Sequence, residues 1–301
     1  MKNKALLPVR KYLGLFLLSI SIVLVVKLLF NMIAIGFIDK IWDLNGLEIY
    51  NDLQNQEFKY LYAHKALAFF DQLGTFLIPS ILFLIIIRSM TINYVIPKRD
   101  DWVKLIIYFF ILLGLAQILL VISTYIGYDF LPLSTQDFLK NQQDFNTKIQ
   151  EGFITDSFFG FLFNIILLAI IPAVGEELFF RGILQDICIG LFKNNSTGII
   201  ITSLIFGILH FQIDNLLSII FASLLLGYIY NFSNNIFLTI LLHFGFNSFS
   251  LICMQAIKWE FVTEPQLDLL GNYLFVPIGI ILSTVVINRK IFWGKRTISL
   301  D

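Results

Sequence analysis

Apolar stretches of helical length follow one another along almost the whole chain. They span residues 13–38, 66–87, 102–128, 158–174, 198–211, 216–230, 236–257 and 269–287. A bilayer hydrocarbon core about 30 Å thick is crossed by roughly 17–25 helical residues, a length that most of these stretches reach. The sequence therefore predicts an all-α fold, a polytopic transmembrane helix bundle of about eight spans, with the short fifth and sixth spans tilted or buried in protein.

Composition supports a single integral membrane domain over residues 1–301. Hydrophobic residues make up 57% of the chain and charged residues only 14%, whereas about 25% of an average soluble domain is charged. The 21 Lys and Arg balance the 21 Asp and Glu, so no nucleic-acid partner is expected. The two cysteines, Cys188 and Cys253, lie in apolar stretches and predict neither a disulfide framework nor a thiolate metal site.

Basic residues orient the predicted bundle. They precede the first span, separate the second from the third and follow the last: Lys2, Lys4, Arg10, Lys11, Arg88, Lys98, Arg99, Arg289, Lys290, Lys295 and Arg296. By the positive-inside rule these segments are cytoplasmic, and an even number of spans places both termini in the cytoplasm. We expect a multi-pass protein of the cell (plasma) membrane, with the lipid bilayer as a partner. The loops 39–65 and 129–157 are predicted to face outward, with His64 solvated in the first.

Seven ionisable residues lie in or beside the apolar stretches: Lys27, Asp71, Glu176, Glu177, Arg181, His210 and His243. A charge at membrane depth costs roughly 2.5–3.5 kcal/mol on insertion scales, so each needs a structural or functional reason. Lys27 either reaches an interface or forms a bridge with Asp71. The other five fall between positions 176 and 243, and this clustering is the main functional signal in the sequence.

The first motif is Glu176-Glu177-x-x-x-Arg181, which follows Pro172. Proline lacks an amide hydrogen, so a kink is predicted there. Glu177 and Arg181 are four residues apart and are predicted to pair on one helix face. Neighbouring helical residues point about 100° apart, which leaves Glu176 without a local partner and available as a general base. The alternative interpretation is a charge cluster at a helix end.

Two further motifs carry the histidines. Phe206 lies one turn before His210, and Asp214 lies one turn after it. Asp214 is predicted to orient the His210 ring, and the alternative interpretation is that His210 is a packing residue. His243 and Asn247 are four residues apart and project from one helix face. An imidazole and an amide on one face suit either an oxyanion hole or a polar network between helices.

If these three helices converge, their side chains form a site that can activate water and hold a tetrahedral intermediate. The same site has ligands for zinc, which would be Glu176, His210 and His243 from three separate helices. The H-E-x-x-H spacing of many zinc proteases does not occur in the sequence. A zinc cofactor and a metal-free mechanism therefore both stay open.

The ordered set E-E-x-x-x-R, F-x-x-x-H and H-x-x-x-N resembles the CPBP family of intramembrane proteases. This abortive-infection-like family comprises CAAX proteases and bacteriocin-processing enzymes, including the type II CaaX prenyl endopeptidases of eukaryotes. Glu176, Glu177, Arg181, His210, His243 and Asn247 fill every key position of the three motifs. The resemblance covers about residues 158–257, which we interpret as the catalytic core.

The resemblance implies an eight-helix intramembrane endopeptidase, metallo- or glutamate-dependent, that cleaves a peptide or a membrane-associated protein. It implies that Glu176 and His210 activate the attacking water, while His243 and Asn247 form the oxyanion hole. Glu177 and Arg181 are implied to shape the site. No residue marks the prenyl-specific branch, so that substrate is not transferred, and cleavage is expected near the cytoplasmic side.

Two other functions fit an apolar bundle with a polar cluster. One is a non-catalytic membrane scaffold or bacteriocin-immunity protein, in which the cluster only holds helices together. The other is a transporter, in which the cluster is a midplane binding site. The sequence contains no internal repeat, which disfavours the transporter.

Overall fold

Ten α-helices and no β-strand make up the residues that the computed structural model describes, which are 8–54, 59–88, 90, 92–127, 129 and 131–291. In chain order the helices are α1 Val9–Trp42, α2 Gly46–Gln54, α3 Leu61–Ile86, α4 Arg99–Ile126, α5 Leu133–Phe153, α6 Phe158–Phe192, α7 Asn195–Leu209, α8 Leu216–Ser233, α9 Ile236–Lys258 and α10 Glu264–Arg289. The all-α prediction is confirmed. Parts of two sequence predictions lie outside the described residues: Lys2, Lys4, Lys295, Arg296 and the residue 128 end of the third stretch.

Seven of these helices, α1, α3, α4, α6, α8, α9 and α10, are long and apolar enough to cross a membrane. Another apolar helix, α7, has only 15 residues, as its short stretch predicted. Each predicted stretch corresponds to one of these helices in order, and the chain is a multi-pass integral membrane protein. The largest difference concerns the fourth stretch, predicted to end at residue 174, because α6 continues through the charged motif to Phe192.

Three prolines within the spans follow π-turns inside continuous helices. A five-residue π-turn ends two residues before each of Pro79, Pro172 and Pro277. Proline clashes with the carbonyl four positions earlier and cannot donate to it, and the wider π-turn accommodates that lost bond. The interruption predicted at Pro172 thus takes the form of the π-turn Ile166–Ile170, and α6 continues past it. A fourth π-turn, Phe180–Leu184, differs from these three because no proline follows it two residues later.

Both predicted outward loops contain helices, α2 in the first and α5 in the second. The prediction that His64 is solvated is wrong, because α3 begins at Leu61 and His64 lies fully buried in its first turn. Ile49 of α2 packs with Ala63 and Leu67 of α3 in one buried cluster. The polar start of α3 conceals this burial in the sequence.

Lys27 and Asp71 form the bridge that was one of the two predicted roles for Lys27. The Lys27 Nζ lies 2.7 Å from Asp71 Oδ1 and donates a 2.9 Å hydrogen bond to the hydroxyl of Thr75. This contact joins α1 to α3, and snorkelling to an interface is not needed to explain the lysine.

Neighbouring spans pack antiparallel, so the connections between them alternate between two faces of the bundle. Helix α7, for example, packs closely against both of its neighbours: Gly198 lies against Ile189 of α6, and Gly207 lies against Ile220 of α8. We call the faces basic and acidic after their charges. The described basic face carries Arg10, Lys11, Arg88, Lys98, Arg99, Lys193, Arg289 and Lys290 with Asp100 and Asp101. The described acidic face carries Asp39, Asp43, Glu48, Asp52, Asp129, Asp137, Asp144, Glu151, Asp156, Asp214, Glu260, Glu264 and Asp268 with Lys40, Lys59, Lys65, Lys140, Lys148 and Lys258.

Candidate active site

A buried ion pair joins the helices that carry the candidate residues. Arg181 Nη1 donates to Glu177 Oε1 over 2.6 Å, and both side chains are at most 1% exposed. The other terminal nitrogen of Arg181 donates to the hydroxyl and carbonyl of Ser223 on α8, over 3.0 and 3.2 Å. His243 Nδ1 of α9 lies 2.9 Å from the same Glu177 Oε1. The predicted pairing of Glu177 with Arg181 is therefore present, and it connects α6 with α8 and α9.

The local backbone explains how one arginine reaches so many partners. Arg181 lies in the π-turn Phe180–Leu184, and π-turns occur frequently at functional sites. Its guanidinium carbon lies 5.0 Å from the centre of the Phe206 ring of α7, in cation–π contact. Arg181 thus contacts α7 as well as α8. Because the pair is dry, removing one partner would leave an uncompensated buried charge.

Glu176 faces a different environment from its neighbour. Its Oε2 lies 3.8 Å from the Nε2 of His210 and 3.8 Å from the Nε2 of His243. This oxygen is buried and accepts no hydrogen bond from the described residues. The structure therefore brings together three groups from α6, α9 and the end of α7, as the motifs predicted.

Hydrogen-bond partners assign the protons on both imidazoles. His210 Nδ1 lies 2.7 Å from the carbonyl oxygen of Phe206, and His243 Nδ1 lies 2.9 Å from Glu177 Oε1. Both partners are acceptors, so each Nδ1 carries the hydrogen. In the neutral rings the Nε2 atoms are then acceptors, and they point at Glu176 Oε2, a third acceptor. Three facing acceptors need a donor between them, which can be water, a cation, or a proton on one ring nitrogen or on the carboxylate.

Asn247 lies one turn after His243 on α9 and is half-buried. The continuous helix confirms that the two residues share a face, as their spacing predicted. No described residue accepts a hydrogen bond from the Asn247 amide. Its amide hydrogens are therefore available to a bound group.

The prediction that Asp214 orients His210 is wrong. It assumed a continuous helix, but α7 ends at Leu209 and a turn follows. Asp214 instead exchanges two hydrogen bonds with the amide of Gln143 on α5, one to its carboxylate and one of 3.2 Å from its backbone nitrogen. The Phe206 carbonyl orients the His210 ring in its place.

Helix α5 contributes contacts to this turn that sequence reasoning missed. Asn146 donates a 3.3 Å hydrogen bond to the backbone carbonyl of His210. The Phe138 and Phe211 rings meet edge to face with centroids 6.2 Å apart. The sequence signal that could have indicated these contacts is the helical spacing of Gln143 and Asn146, in a segment that was predicted to be a loop.

The described part of the chain holds no group of three His, Cys, Asp or Glu side chains placed as a metal ion requires. The donor set of Glu176, His210 and His243 is nevertheless of the type that zinc binds. Both histidines also donate their second nitrogen to an oxygen, as zinc-bound histidines commonly do. The chemistry of the donors fits zinc, while their present placement does not close around an ion.

Comparison with known proteins identifies the segment that carries these residues. The family model described as "Rce1-like: Type II CAAX prenyl endopeptidase Rce1-like" matches residues 158–249, which include all six candidate site residues and lie within the predicted catalytic core. No curated protein and no solved structure matches the chain. The match supports the role of a membrane protease. The resemblance predicted from the three motifs is confirmed, since the segment 158–249 is similar to the Rce1-like family of type II CAAX prenyl endopeptidases.

Proposed function

We propose that this protein is an intramembrane endopeptidase that hydrolyses peptide bonds of a peptide or a membrane-associated protein, using water activated by Glu176 and His210. One observation carries the proposal: Glu176 Oε2 and two imidazole Nε2 atoms face one gap, 3.8 Å from the carboxylate in each case. A water molecule in this gap donates one hydrogen to Glu176 and the other to a ring nitrogen. The arrangement thus orients a lone pair of the water for attack.

In the proposed reaction Glu176 acts first as a base and then as an acid. It removes a proton from water while the water oxygen forms a bond to the carbonyl carbon, whose π electrons move onto the carbonyl oxygen. The tetrahedral intermediate collapses when the carbon–nitrogen bond breaks. Glu176 returns the proton to the leaving amine, so the carboxylate is regenerated and one peptide bond has consumed one water.

Asn247 and His243 are proposed to stabilise the oxyanion of the intermediate. The Asn247 amide donates to no residue that the structure describes, and an amide is a donor in every protonation state of the site. His243 gives its Nδ1 hydrogen to Glu177, so it donates from Nε2 only as an imidazolium.

Glu177 and Arg181 act as positioning residues in this proposal. Neither side chain is accessible, since both are at most 1% exposed. Their role is to hold the His243 ring and to join α6 to α8 and α9 through Ser223. A change at either position alters the geometry of His243 without removing a reacting group.

The proposal has a zinc form, in which Glu176, His210 and His243 hold the ion. Zinc would supply Lewis-acid polarisation of the attacking water. The protein residues would keep the same partners, because the two Nδ1 hydrogen bonds orient both rings in either form. Metal content of the purified protein, measured alongside peptide cleavage before and after chelation, separates the two forms.

The direct test is cleavage of a pool of quenched fluorescent peptides by purified protein in detergent. We expect wild-type protein to cleave members of the pool and Glu176→Gln to cleave none. Glu48→Gln, a change at an exposed glutamate of α2, is the matched control and should retain full activity. Equal activity of Glu176→Gln and wild type, with both proteins folded, would overturn the proposed mechanism.

A further inference from the structure

The turn that carries His210 lies well below the acidic end of the bundle. Ser218, near the start of α8, donates a 2.7 Å hydrogen bond to the carbonyl of Ala116 on α4. Helix α4 continues from Ala116 to Ile126 on the acidic side, and ten helical residues rise about 15 Å. The turn 210–215 ends three residues before Ser218, about 4–5 Å closer to the acidic side, so it is recessed by about 10 Å. The shortness of α7 and α8 produces a depression on the acidic face above Glu176.

The basic side of the site is closed by protein. Ile92 packs against Gly182 of α6, directly below the ion pair. Asn235 exchanges two 2.9 Å hydrogen bonds with the backbone of Val95, which fixes the segment that crosses this side. Beneath Arg181, Gln185 is 1% exposed and donates to the Gly227 carbonyl of α8.

Exposure falls from the acidic side toward the basic side of the site. The His210 side chain is 28% exposed and Glu176 is 13% exposed, whereas Glu177 and Arg181 are at most 1% exposed. Among these four side chains the exposed fraction is largest for His210, on the side of the recess, and falls through Glu176 to the buried pair. Helix α5 crosses that recess and touches the His210 turn through Gln143 and Asn146.

The outer surface of α5 shows what lies above it. Asp137, Lys140, Asp144, Lys148 and Glu151 are all exposed along this surface. Such a row of charges is costly in hydrocarbon and requires water. Helix α5 therefore covers the recess from an aqueous side, not from lipid.

We propose that the site is reached from the acidic face, along α5, and that this face is extracytoplasmic. The compartment is assigned from the excess of Lys and Arg on the opposite face, with eight there against six on the acidic face among the described residues assigned to the two faces. The substrate would then be a peptide segment on the outer side of the membrane, either an exported peptide or the outer flank of a membrane protein. The statement about substrate rests on the proposed function, whereas the position of the opening does not. It differs from the expectation of cleavage near the cytoplasmic side, and side-specific labelling and cleavage experiments distinguish the two.

Side-specific cysteine labelling tests the opening without any assumption about catalysis. In a full-length Cys188→Ala/Cys253→Ala background, one reporter is Gln212→Cys in the recessed turn. The control reporter is Tyr94→Cys, 80% exposed on the segment that closes the basic side. A membrane-impermeant maleimide is applied to right-side-out and to inverted membrane vesicles.

We expect Gln212→Cys to react in right-side-out vesicles and Tyr94→Cys in inverted vesicles. Labelling of both reporters from the same side would overturn the position of the opening. Failure of Gln212→Cys to react from either side would contradict an opening at the recess. If Gln212→Cys reacted only in inverted vesicles and Tyr94→Cys only in right-side-out vesicles, the extracytoplasmic assignment would be overturned.

A second measurement tests the substrate class. A quenched peptide that the purified protein cleaves in detergent, carrying a sulfonated dye that prevents membrane passage, is added to both kinds of vesicle. We expect cleavage by right-side-out vesicles and not by intact inverted ones, with Glu176→Gln membranes as the blank. Cleavage confined to inverted vesicles would overturn the inference. Failure of all peptides in detergent would instead count against the proposed function, and the labelling result would stand independently.

Discussion

Two consecutive glutamates on α6 lie in opposite environments. Glu177 is completely buried and shares its Oε1 between Arg181 and His243. Glu176 is 13% exposed, and its Oε2 has two ring nitrogens nearby at 3.8 Å but no hydrogen-bond donor among the described residues. A rotation of about 100° between adjacent helical residues separates them. The comparison shows that the carboxylate paired with an arginine and a histidine holds helices together, while the carboxylate without a hydrogen-bonded partner is available for chemistry.

The largest expected effect is loss of peptide cleavage in Glu176→Ala. A positioned general base contributes about 10²- to 10⁴-fold to rate, so kcat should fall by that factor. The thermal midpoint should stay at the wild-type value, because Glu176 Oε2 accepts no hydrogen bond from the residues that the structure describes. Cleavage and thermal unfolding of the same preparation provide the measurement. A large drop in midpoint would show that Glu176 is structural like its neighbour.

Arg181→Met is expected to destabilise the bundle by about 3–5 kcal/mol, since it leaves the buried Glu177 charge uncompensated. Reversible unfolding in mixed micelles would measure this change. The sharper comparison is the double variant Glu177→Leu/Arg181→Met, which removes both charges and should recover most of the stability. It should remain a poor enzyme, because His243 loses the acceptor for its Nδ1 hydrogen. Recovery of both stability and cleavage would contradict a positioning role.

Asn247→Ala should lower kcat by about 10²- to 10³-fold with little change in KM, as removal of one oxyanion donor does elsewhere. Ser250→Ala, at an exposed position of the same helix, is the matched control and should behave as wild type. Initial rates over a range of peptide concentrations separate kcat from KM. A change confined to KM would assign Asn247 to substrate binding.

The smallest effect is expected for Asn146→Ala on α5. It removes one hydrogen bond to the His210 carbonyl, which is worth about 0.5–1.5 kcal/mol. Cleavage should change only a few-fold, and limited proteolysis within α5 should become faster. Asn141→Ala on the exposed side of the same helix should change neither. An unaltered proteolysis rate in Asn146→Ala would show that this contact does not hold α5.

Local spacing predicted the features that depend on one helix. The apolar stretches gave the order of the spans, and the four-residue separation of Glu177 and Arg181 gave their ion pair. Features that depend on where a helix begins or ends were predicted poorly. His64 was predicted to be solvated because α3 starts earlier than its apolar stretch. Asp214 was predicted to contact His210 because α7 was expected to continue, whereas it ends at Leu209.

Contacts between distant segments lay beyond the sequence signals. Gln143 and Asp214 are separated by 71 positions, and their pairing follows from how α5 lies over the turn. The π-turns have a sequence correlate only where a proline follows, so the one containing Arg181 left no trace in the pattern. Both kinds of feature are set by packing between helices, which residue spacing along one segment does not encode.

The hydrogen bonds of Glu177 and Arg181 also impose an order on biosynthesis. Glu176 and Glu177 leave the ribosome on α6, but Ser223 follows on α8 and His243 on α9. A nascent chain that has inserted only α1 to α7 contains Glu177 and Arg181 but lacks Ser223 and His243, which hydrogen-bond to this pair in the finished protein. Under the proposed mechanism, proteolytic competence would arise only when α9 docks, and the unfinished chain would be inert toward the peptides and proteins around it during its own insertion.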